Sequence, residues 1–219
     1  MLNGYFNTAL GAALIFGVAG WSGPGWCAEP VKTEAEYQAE LKQVDAKLAA
    51  KPSDPGALYR HAFLMGRLKR FEGEVNEAKK LTAKYPTWRD AYVLEVNGHA
   101  GLNHNLVAIE VLNKVFELAP PTANLLALKG SLLCKEKKYA EGLVVLNQSI
   151  KLNPDDPDAY DSRVACNYGL YGACPQVISD LENVMRIKPS DKGAAELLAN
   201  FKKELNSKTK GNLGSRVTN

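Results

Sequence analysis

The sequence predicts an all-α protein built from repeated helix–turn–helix units, and two observations lead to this prediction. First, five prolines recur with spacings of 34, 34, 34 and 35 residues: Pro52, Pro86, Pro120, Pro154 and Pro189. Second, the apolar residues between these prolines follow the three- and four-residue spacing of helices, and no segment alternates as a strand does. Because proline cannot continue a helix interior, each of these prolines marks the end of a helical unit.

The proline period divides the central region into four units. These are residues 55–88, 89–122, 123–156 and 157–191. Each unit has a first apolar stripe, a short polar turn and a second apolar stripe, as a helical hairpin requires. In the third unit the turn falls at residues 135–138, and the second stripe runs from Tyr139 to Ile150. Ser, Thr or Asp residues follow each proline, and we expect them to cap the next helix.

The residues on either side of the four units are predicted to cover the ends of the array, since terminal repeats need caps. Residues 29–54 are predicted to form a linker and an N-terminal capping helix, and residues 192–206 a C-terminal capping helix. Residues 207–219 have almost no apolar content and are predicted to be a disordered basic tail. Because residues 192–219 carry a net charge of +4, this tail could make weak contact with an anionic membrane surface. The alternative is a tail that is merely solvated.

The first 28 residues have the composition of a secretory signal peptide. Residues 1–28 contain no Asp, Glu, Lys or Arg, and they include an apolar run of about 14 residues from Thr8 to Trp21. This run is shorter than the roughly 20 residues of a membrane span but suits the core of a signal peptide. The sequence therefore predicts an exported protein, either periplasmic or secreted. The alternative is an uncleaved leader that tethers the protein to a membrane.

A 34-residue helix–turn–helix period that ends in proline resembles the tetratricopeptide repeat family, over residues 55–191. The family's large residue early in each first helix is matched by Leu58, Tyr92, Leu126 and Tyr160. Its small residues, where the two helices of a hairpin cross, are matched by Ala62, Ala108, Gly130 and Gly142. Glu74 departs from this pattern, which implies that the helices of repeat 1 lie further apart. The resemblance implies a right-handed α-solenoid that binds protein partners.

By resemblance to the family, the first helices of successive repeats line a groove that receives a peptide or helix segment of a partner. The side chains expected to face this groove are Tyr59, Phe63, Arg67, Val93, Asn97, Ala127, Ser131, Cys134, Lys135, Asp161, Ala165 and Tyr168. Tyr59 and Phe63 are one helical turn apart and could form an aromatic shelf, since aromatic side chains commonly anchor such contacts. The alternative is that these residues only pack on the capping helix. Family members that bind a partner's terminal carboxylate use Lys and Asn on this helix, so that specificity is not expected here.

Composition and motifs point away from enzymes, metal proteins and nucleic-acid binders. A chain of 219 residues with 46% hydrophobic residues can bury a core, and a formal charge of +3 is too small to imply nucleic acid. His99 and His104 are five residues apart, so their rings do not share one helix face. Ser131 lies inside a predicted helix, not at the strand-to-helix turn of a nucleophile. We therefore expect no catalytic residue, no metal site and no cofactor.

Three cysteines lie beyond the predicted leader: Cys134, Cys166 and Cys174. Disulfides can form in an exported protein. Cys166 and Cys174 are eight residues apart and flank a predicted turn, so they are candidates for a disulfide. One alternative is that they are buried free thiols, and another is that the pair serves a thiol-active enzyme.

These observations favour a non-catalytic scaffold or adaptor of the cell envelope that binds a protein or peptide partner in its groove. The alternative function is a membrane-peripheral structural spacer, held by an uncleaved leader or by the basic tail.

Overall fold

The computed structural model describes residues 32–214, with side chains described through residue 207. Ten α-helices and no strand lie within these residues: α1 (Glu34–Ala50), α2 (Pro55–Arg67), α3 (Phe71–Lys84), α4 (Arg89–Gly101), α5 (Asn105–Leu118), α6 (Ala123–Lys135), α7 (Tyr139–Leu152), α8 (Pro157–Tyr171), α9 (Pro175–Ile187) and α10 (Lys192–Gly214). The predicted all-α class is therefore confirmed for the described residues. The predicted leader, residues 1–28, lies outside them.

The helices form two units. Within the described residues, the N-terminal unit is α1–α5 and the C-terminal unit is α6–α10. In each unit every helix packs on the next one in the chain, and first helices of successive hairpins also touch, α2 with α4 and α6 with α8. None of the helices between residues 32 and 214 is long and apolar enough to cross a membrane.

Acidic side chains cap several helices where the sequence predicts caps. Asp54, Asp156 and Asp191 each accept a hydrogen bond at 3.0 Å from a backbone N–H in the first turn of the following helix. Such a bond satisfies an N–H group that has no partner inside the helix. The prediction of caps at Thr87 and Thr122 is wrong. Thr122 lies directly before α6, but its side chain accepts no hydrogen bond from that helix. The residue directly before α4 is Trp88, not Thr87.

The turns inside the first three hairpins share one conformation at the 34-residue period. Lys69, Asn103 and Lys137 each have φ of 58°. The next residue in each turn donates its backbone N–H to the carbonyl five residues earlier, as Lys138 does to Leu133 at 2.9 Å. This bond closes the end of the first helix, as in the Schellman motif. The periodic turn geometry shows that the repeat exists in the backbone as well as in the sequence.

Helix α1 has the register of the second helix of a hairpin. Tyr37 in α1 lies one full repeat period before Phe71 in α3, and the Arg67 guanidinium lies over the Tyr37 ring at 5.2 Å. Gly101 lies one period after Arg67, and the Phe71 ring packs against it: a Cβ on Gly101 would lie 2.5 Å from Cδ1 of Phe71. The pair Phe71–Gly101 thus repeats the position of the pair Tyr37–Arg67. We conclude that α1 occupies the position of a second helix ahead of repeat 1.

Glycines let α6 and α7 approach closely. A Cβ on Gly130 would lie 2.5 Å from Cγ of Leu146 and 3.3 Å from the Gly142 carbonyl oxygen. The prediction that Gly130 and Gly142 stand where the two helices cross therefore agrees with their contacts. In repeat 1, the structure accommodates the buried side chain of Glu74 by placing its carboxyl group against Gly66, which has no side chain. Burial raises the pKa of Glu74 well above its usual range.

Helix α10 covers the C-terminal hairpin and is longer than predicted. Ala194, Leu197 and Phe201 are its buried apolar residues, and they join the core of α8 and α9. The helix continues to Gly214, so residues 207–214 are helical where the sequence predicts a disordered tail. No proline follows Pro189, and extending an existing helix costs far less than starting one. Residues 215–219 lie outside the described part.

Candidate partner-binding groove

The predicted groove residues of α2 all have partners within the N-terminal unit. Tyr59 stacks on Trp88 with ring centroids 5.3 Å apart, and Trp88 meets Tyr85 edge-on at 5.8 Å. Burial, followed by the nearby negative charge of Asp90, raises the pKa of Tyr59. Trp88 lies in the loop between α3 and α4, and sequence reasoning missed it. The proximity of two aromatic residues in a short loop between hairpins was the available signal.

Phe63 and Arg67 contact the N-terminal helix α1. Nε of Arg67 donates a hydrogen bond to the Tyr37 hydroxyl at 3.0 Å, and Phe63 packs against the apolar cluster that includes Tyr37 and Leu41. The Arg60 guanidinium lies over the Phe63 ring at 4.9 Å. These contacts are those of the alternative interpretation, packing on the capping helix. Phe63 and Tyr59 nevertheless share one apolar cluster, since both pack against Ala62, Ala78 and Leu94.

Helix α4 carries the two other predicted groove residues of the N-terminal unit. Val93 is buried and Asn97 is half-buried. They are four residues apart, so both lie on one face of α4. On a neighbouring face, buried His99 lies with Nε2 3.8 Å from Oε1 of Glu95, and its ring is 5.8 Å from that of His104. Burial, followed by the charges of Lys79 and His104, lowers the pKa of His99.

Helices α6 and α8 carry the predicted groove residues of the C-terminal unit. The Ser131 side chain is buried, with the residue 2% exposed, and its hydroxyl has no hydrogen-bond partner among residues 32–214. Lys135 lies one turn further along α6, and burial lowers the pKa of its ammonium group. Asp161 on α8 is also buried. Tyr168 lies against α10, with its ring 5.0 Å from that of Phe201.

Three other residues complete the predicted groove set. Ala127 is buried and Ala165 is half-buried. Cys134 is the third, and it is not a free groove residue because it forms a disulfide with Cys166.

An ion pair with a buried carboxylate joins the two helices of repeat 4, α8 and α9. Nε of Arg163 on α8 donates to Oδ2 of Asp180 on α9 at 3.0 Å, and its Nη1 donates to Oδ1 of Asn147 on α7 at 2.7 Å. The Asp180 side chain is only 2% exposed. Burial raises the pKa of Asp180, and the hydrogen bond from Arg163 opposes this effect. Because Arg163 contacts both α7 and α9, it fixes the place of α8 between them.

The disulfide predicted between Cys166 and Cys174 is wrong, because Cys166 bonds to Cys134 and Cys174 is free. The Cα atoms of Cys134 on α6 and Cys166 on α8 are 5.3 Å apart, within the range that a disulfide needs. After Cys166 the rest of α8, to Tyr171, carries the chain about 7.5 Å along the helix axis, away from that position. The correction also removes the pair on which the thiol-active enzyme hypothesis was based.

The histidine, cysteine and carboxylate side chains of the described residues are not clustered as metal ligands. Between residues 32 and 214, no group of three His, Cys, Asp or Glu side chains is arranged to hold a metal ion. The neighbouring rings of His99 and His104 have one carboxylate close by, that of Glu95.

Comparison with solved structures identifies the fold. The chain is similar to TTC0263, a thermophilic TPR protein of Thermus thermophilus, at a TM-score of 0.62 and 18% identity, over 76% of this chain and 91% of that one. It is similar to YrrB, described as a TPR protein with an unusual peptide-binding site, at a TM-score of 0.61 and 15% identity, over 76% of this chain and 85% of that one. At these identities the likeness concerns the fold alone.

Comparison of sequences gives a shorter match. The chain is 40% identical over 62 residues to Hsp70-Hsp90 organizing protein 3 of Arabidopsis thaliana, a stretch that is 28% of this chain and 11% of that protein. The match therefore spans about a tenth of the relative's length. No family model matches the chain. With ten helices and no strand between residues 32 and 214, and with turns that recur at a constant period, the chain has the fold of tetratricopeptide-repeat proteins.

Proposed function

We propose that the protein is a non-catalytic scaffold or adaptor of the cell envelope, which binds a peptide or helix segment of a partner protein along the first helices of its repeats. The tetratricopeptide-repeat fold is consistent with a protein-interaction scaffold. A preformed helical surface favours binding because little conformational entropy is lost on association.

The observation that carries this proposal is the state of two polar side chains on α6. The Ser131 hydroxyl is buried and has no hydrogen-bond partner within residues 32–214. One turn away, burial lowers the pKa of the Lys135 ammonium group, which has no ion pair in the described part of the chain. A half-buried ammonium group without an opposite charge is costly, and a bound peptide that presents carbonyl or carboxylate oxygens to Lys135 would remove that cost.

The test is crosslinking of the tagged full-length protein in its native compartment, followed by identification of the partner by mass spectrometry. We expect Lys135→Glu to reduce the crosslinked partner by at least about tenfold, since burying an unmatched charge at a binding surface costs more than about 1.4 kcal/mol. Lys151→Glu is the matched control, because Lys151 is an exposed lysine on the second helix α7 and undergoes the same charge change. Circular dichroism would establish that both variants are folded. Equal crosslinking by both variants contradicts the proposed surface.

The proposed location is outside the cytosol, in the periplasm or secreted. The Cys134–Cys166 disulfide supports this proposal because structural disulfides form and persist in oxidising compartments. Cell fractionation with N-terminal sequencing tests it. A soluble exported fraction whose first residue lies near Glu29 is the expected result. Recovery in the membrane fraction with residue 1 intact would instead favour the spacer that an uncleaved leader tethers, and recovery in the cytosol contradicts export.

A further inference from the structure

The Cys134–Cys166 disulfide joins two neighbouring first helices, α6 of repeat 3 and α8 of repeat 4. The bond lies over Gly142 of α7, where a Cβ would lie 2.7 Å from Sγ of Cys166 and 3.0 Å from Sγ of Cys134. The absence of a side chain at Gly142 therefore creates the space that the disulfide fills. Three helices of the C-terminal unit meet at this bond.

The surroundings of the disulfide are apolar and closed. Cys134 is 5% exposed and Cys166 is fully buried. Leu146, Tyr139 and Leu143 pack against the pair. A reductant therefore reaches the sulfur atoms only when α8 moves away from α6 and α7. Cys174, the third thiol, is half-buried at the start of α9 and takes no part in the bond.

The disulfide lies at the junction between repeat 3 and repeat 4. Repeat arrays are stabilised by contacts between neighbouring units, so the junction between two repeats can open while the helices on each side stay folded. Repeat 4 packs on repeat 3 chiefly through α8, which contacts both α6 and α7, and Arg186 of α9 adds an exposed ion pair with Asp155. The disulfide adds a covalent link at the junction between repeat 3 and repeat 4.

We propose that the Cys134–Cys166 disulfide is a redox-sensitive staple that holds α8, α9 and α10 on repeat 3, and that its reduction allows these three helices to open together. The reaction is thiol–disulfide exchange with a dithiol reductant. A reductant thiolate attacks one sulfur and forms a mixed disulfide, and its second thiol then closes the reductant's own disulfide. Two electrons pass to the protein, and Cys134 and Cys166 are released as thiols.

Hydrogen exchange followed by mass spectrometry on the full-length protein tests this proposal, with and without dithiothreitol. Reduction should accelerate amide exchange in α8–α10 by at least about tenfold, since a crosslink that closes a loop of this size contributes more than about 1.4 kcal/mol. Exchange in α2–α5 should not change. A Cys174→Ser variant is the control and should respond to the reductant as the wild type does.

A second variant separates the bond from other effects of the reductant. Cys134→Ser combined with Cys166→Ser should show rapid exchange in α8–α10 under both conditions. The proposal is overturned if oxidised and reduced wild-type protein exchange alike in these helices. It is also overturned if peptide mapping of the oxidised protein links Cys174 to either of the other cysteines.

Discussion

Replacing Gly142 by alanine tests the close approach of α6, α7 and α8. A Cβ at this position would lie 2.7 Å from Sγ of Cys166, 3.0 Å from Sγ of Cys134 and 3.2 Å from the Gly130 carbonyl oxygen. Two of these neighbours are the sulfurs of a disulfide and the third is backbone, so none of them can rotate away. The substitution must therefore push helices apart.

Two opposing effects set the magnitude. Alanine is favoured over glycine in a helix interior by about 1 kcal/mol. Overpacking a well-filled core costs about 1 to 3 kcal/mol, and three fixed neighbours put this site at the upper end of that range. We therefore expect Gly142→Ala to lower the free energy of unfolding by about 1 to 2 kcal/mol. For a chain of this length the melting temperature should fall by about 2 to 4 °C for each kcal/mol lost.

Urea unfolding of the oxidised full-length protein, followed by circular dichroism, gives the measurement. Gly73→Ala is the matched control, because Gly73 also lies in a second helix but its nearest neighbour is the flexible Met65 side chain, at 3.4 Å. Gly73→Ala should leave stability unchanged or raise it by up to about 1 kcal/mol. If Gly142→Ala is as stable as Gly73→Ala, the helices do not meet at Gly142 and the reasoning is refuted.

Three other substitutions probe single features. Burial raises the pKa of Glu74, so the folded state keeps a proton on this carboxyl group that the unfolded state loses. The stability that the bound proton provides is present below pH 4.5 and is lost as pH rises through the folded pKa. Glu74→Gln should therefore gain stability relative to wild type as pH rises, and parallel pH profiles of the two proteins would contradict this. Lys137→Gly should stabilise by about 0.5 to 1 kcal/mol in thermal unfolding, since φ of 58° suits glycine, whereas destabilisation would show that the turn is not left-handed. Asp180→Asn should lower the free energy of unfolding by about 2 to 3 kcal/mol, because it leaves Arg163 without its buried counter-charge. Asp155→Asn, in an exposed pair, should lower it by less than about 1 kcal/mol. Equal losses of stability would show that burial of the carboxylate does not matter here.

The repeat architecture was predictable because it depends on local chemistry that recurs along the chain. Proline cannot stand in a helix interior, so the spacing of Pro86 and Pro120, each after an apolar helical stripe, fixes a hairpin length without knowledge of the fold. Gly130 and Gly142 were identified as crossing residues by the resemblance, and their contacts agree. The register of α1 could also have been read from the sequence, because Tyr37 precedes Phe71 by the same interval that separates the prolines.

The side-chain partners were not predictable because they depend on the offset between neighbouring hairpins. Cys134 and Cys166 are 32 residues apart, slightly less than one repeat, and only the three-dimensional offset of α6 and α8 brings them together. Cys174 is nearer in sequence, and sequence proximity favoured the wrong pair. Arg67 was expected to face a groove, but α1 packs on α2 and brings the Tyr37 ring against it.

The extension of α10 shows a limit of composition as a guide. Polar, lysine-rich residues after Leu205 predict a tail when they are considered alone. A helix already formed and packed through Phe201 can extend through such residues because each added residue gains a hydrogen bond without a new nucleation cost.

The described chain is a series of α-hairpins with a 34-residue period. The most direct test is backbone resonance assignment of the protein by NMR, with φ angles derived from chemical shifts and couplings. We expect helices that end just before the five periodic prolines, and positive φ at Lys69, Asn103 and Lys137, which are 34 residues apart. A strand within residues 32–214, or turns that fall away from these three positions, would contradict it.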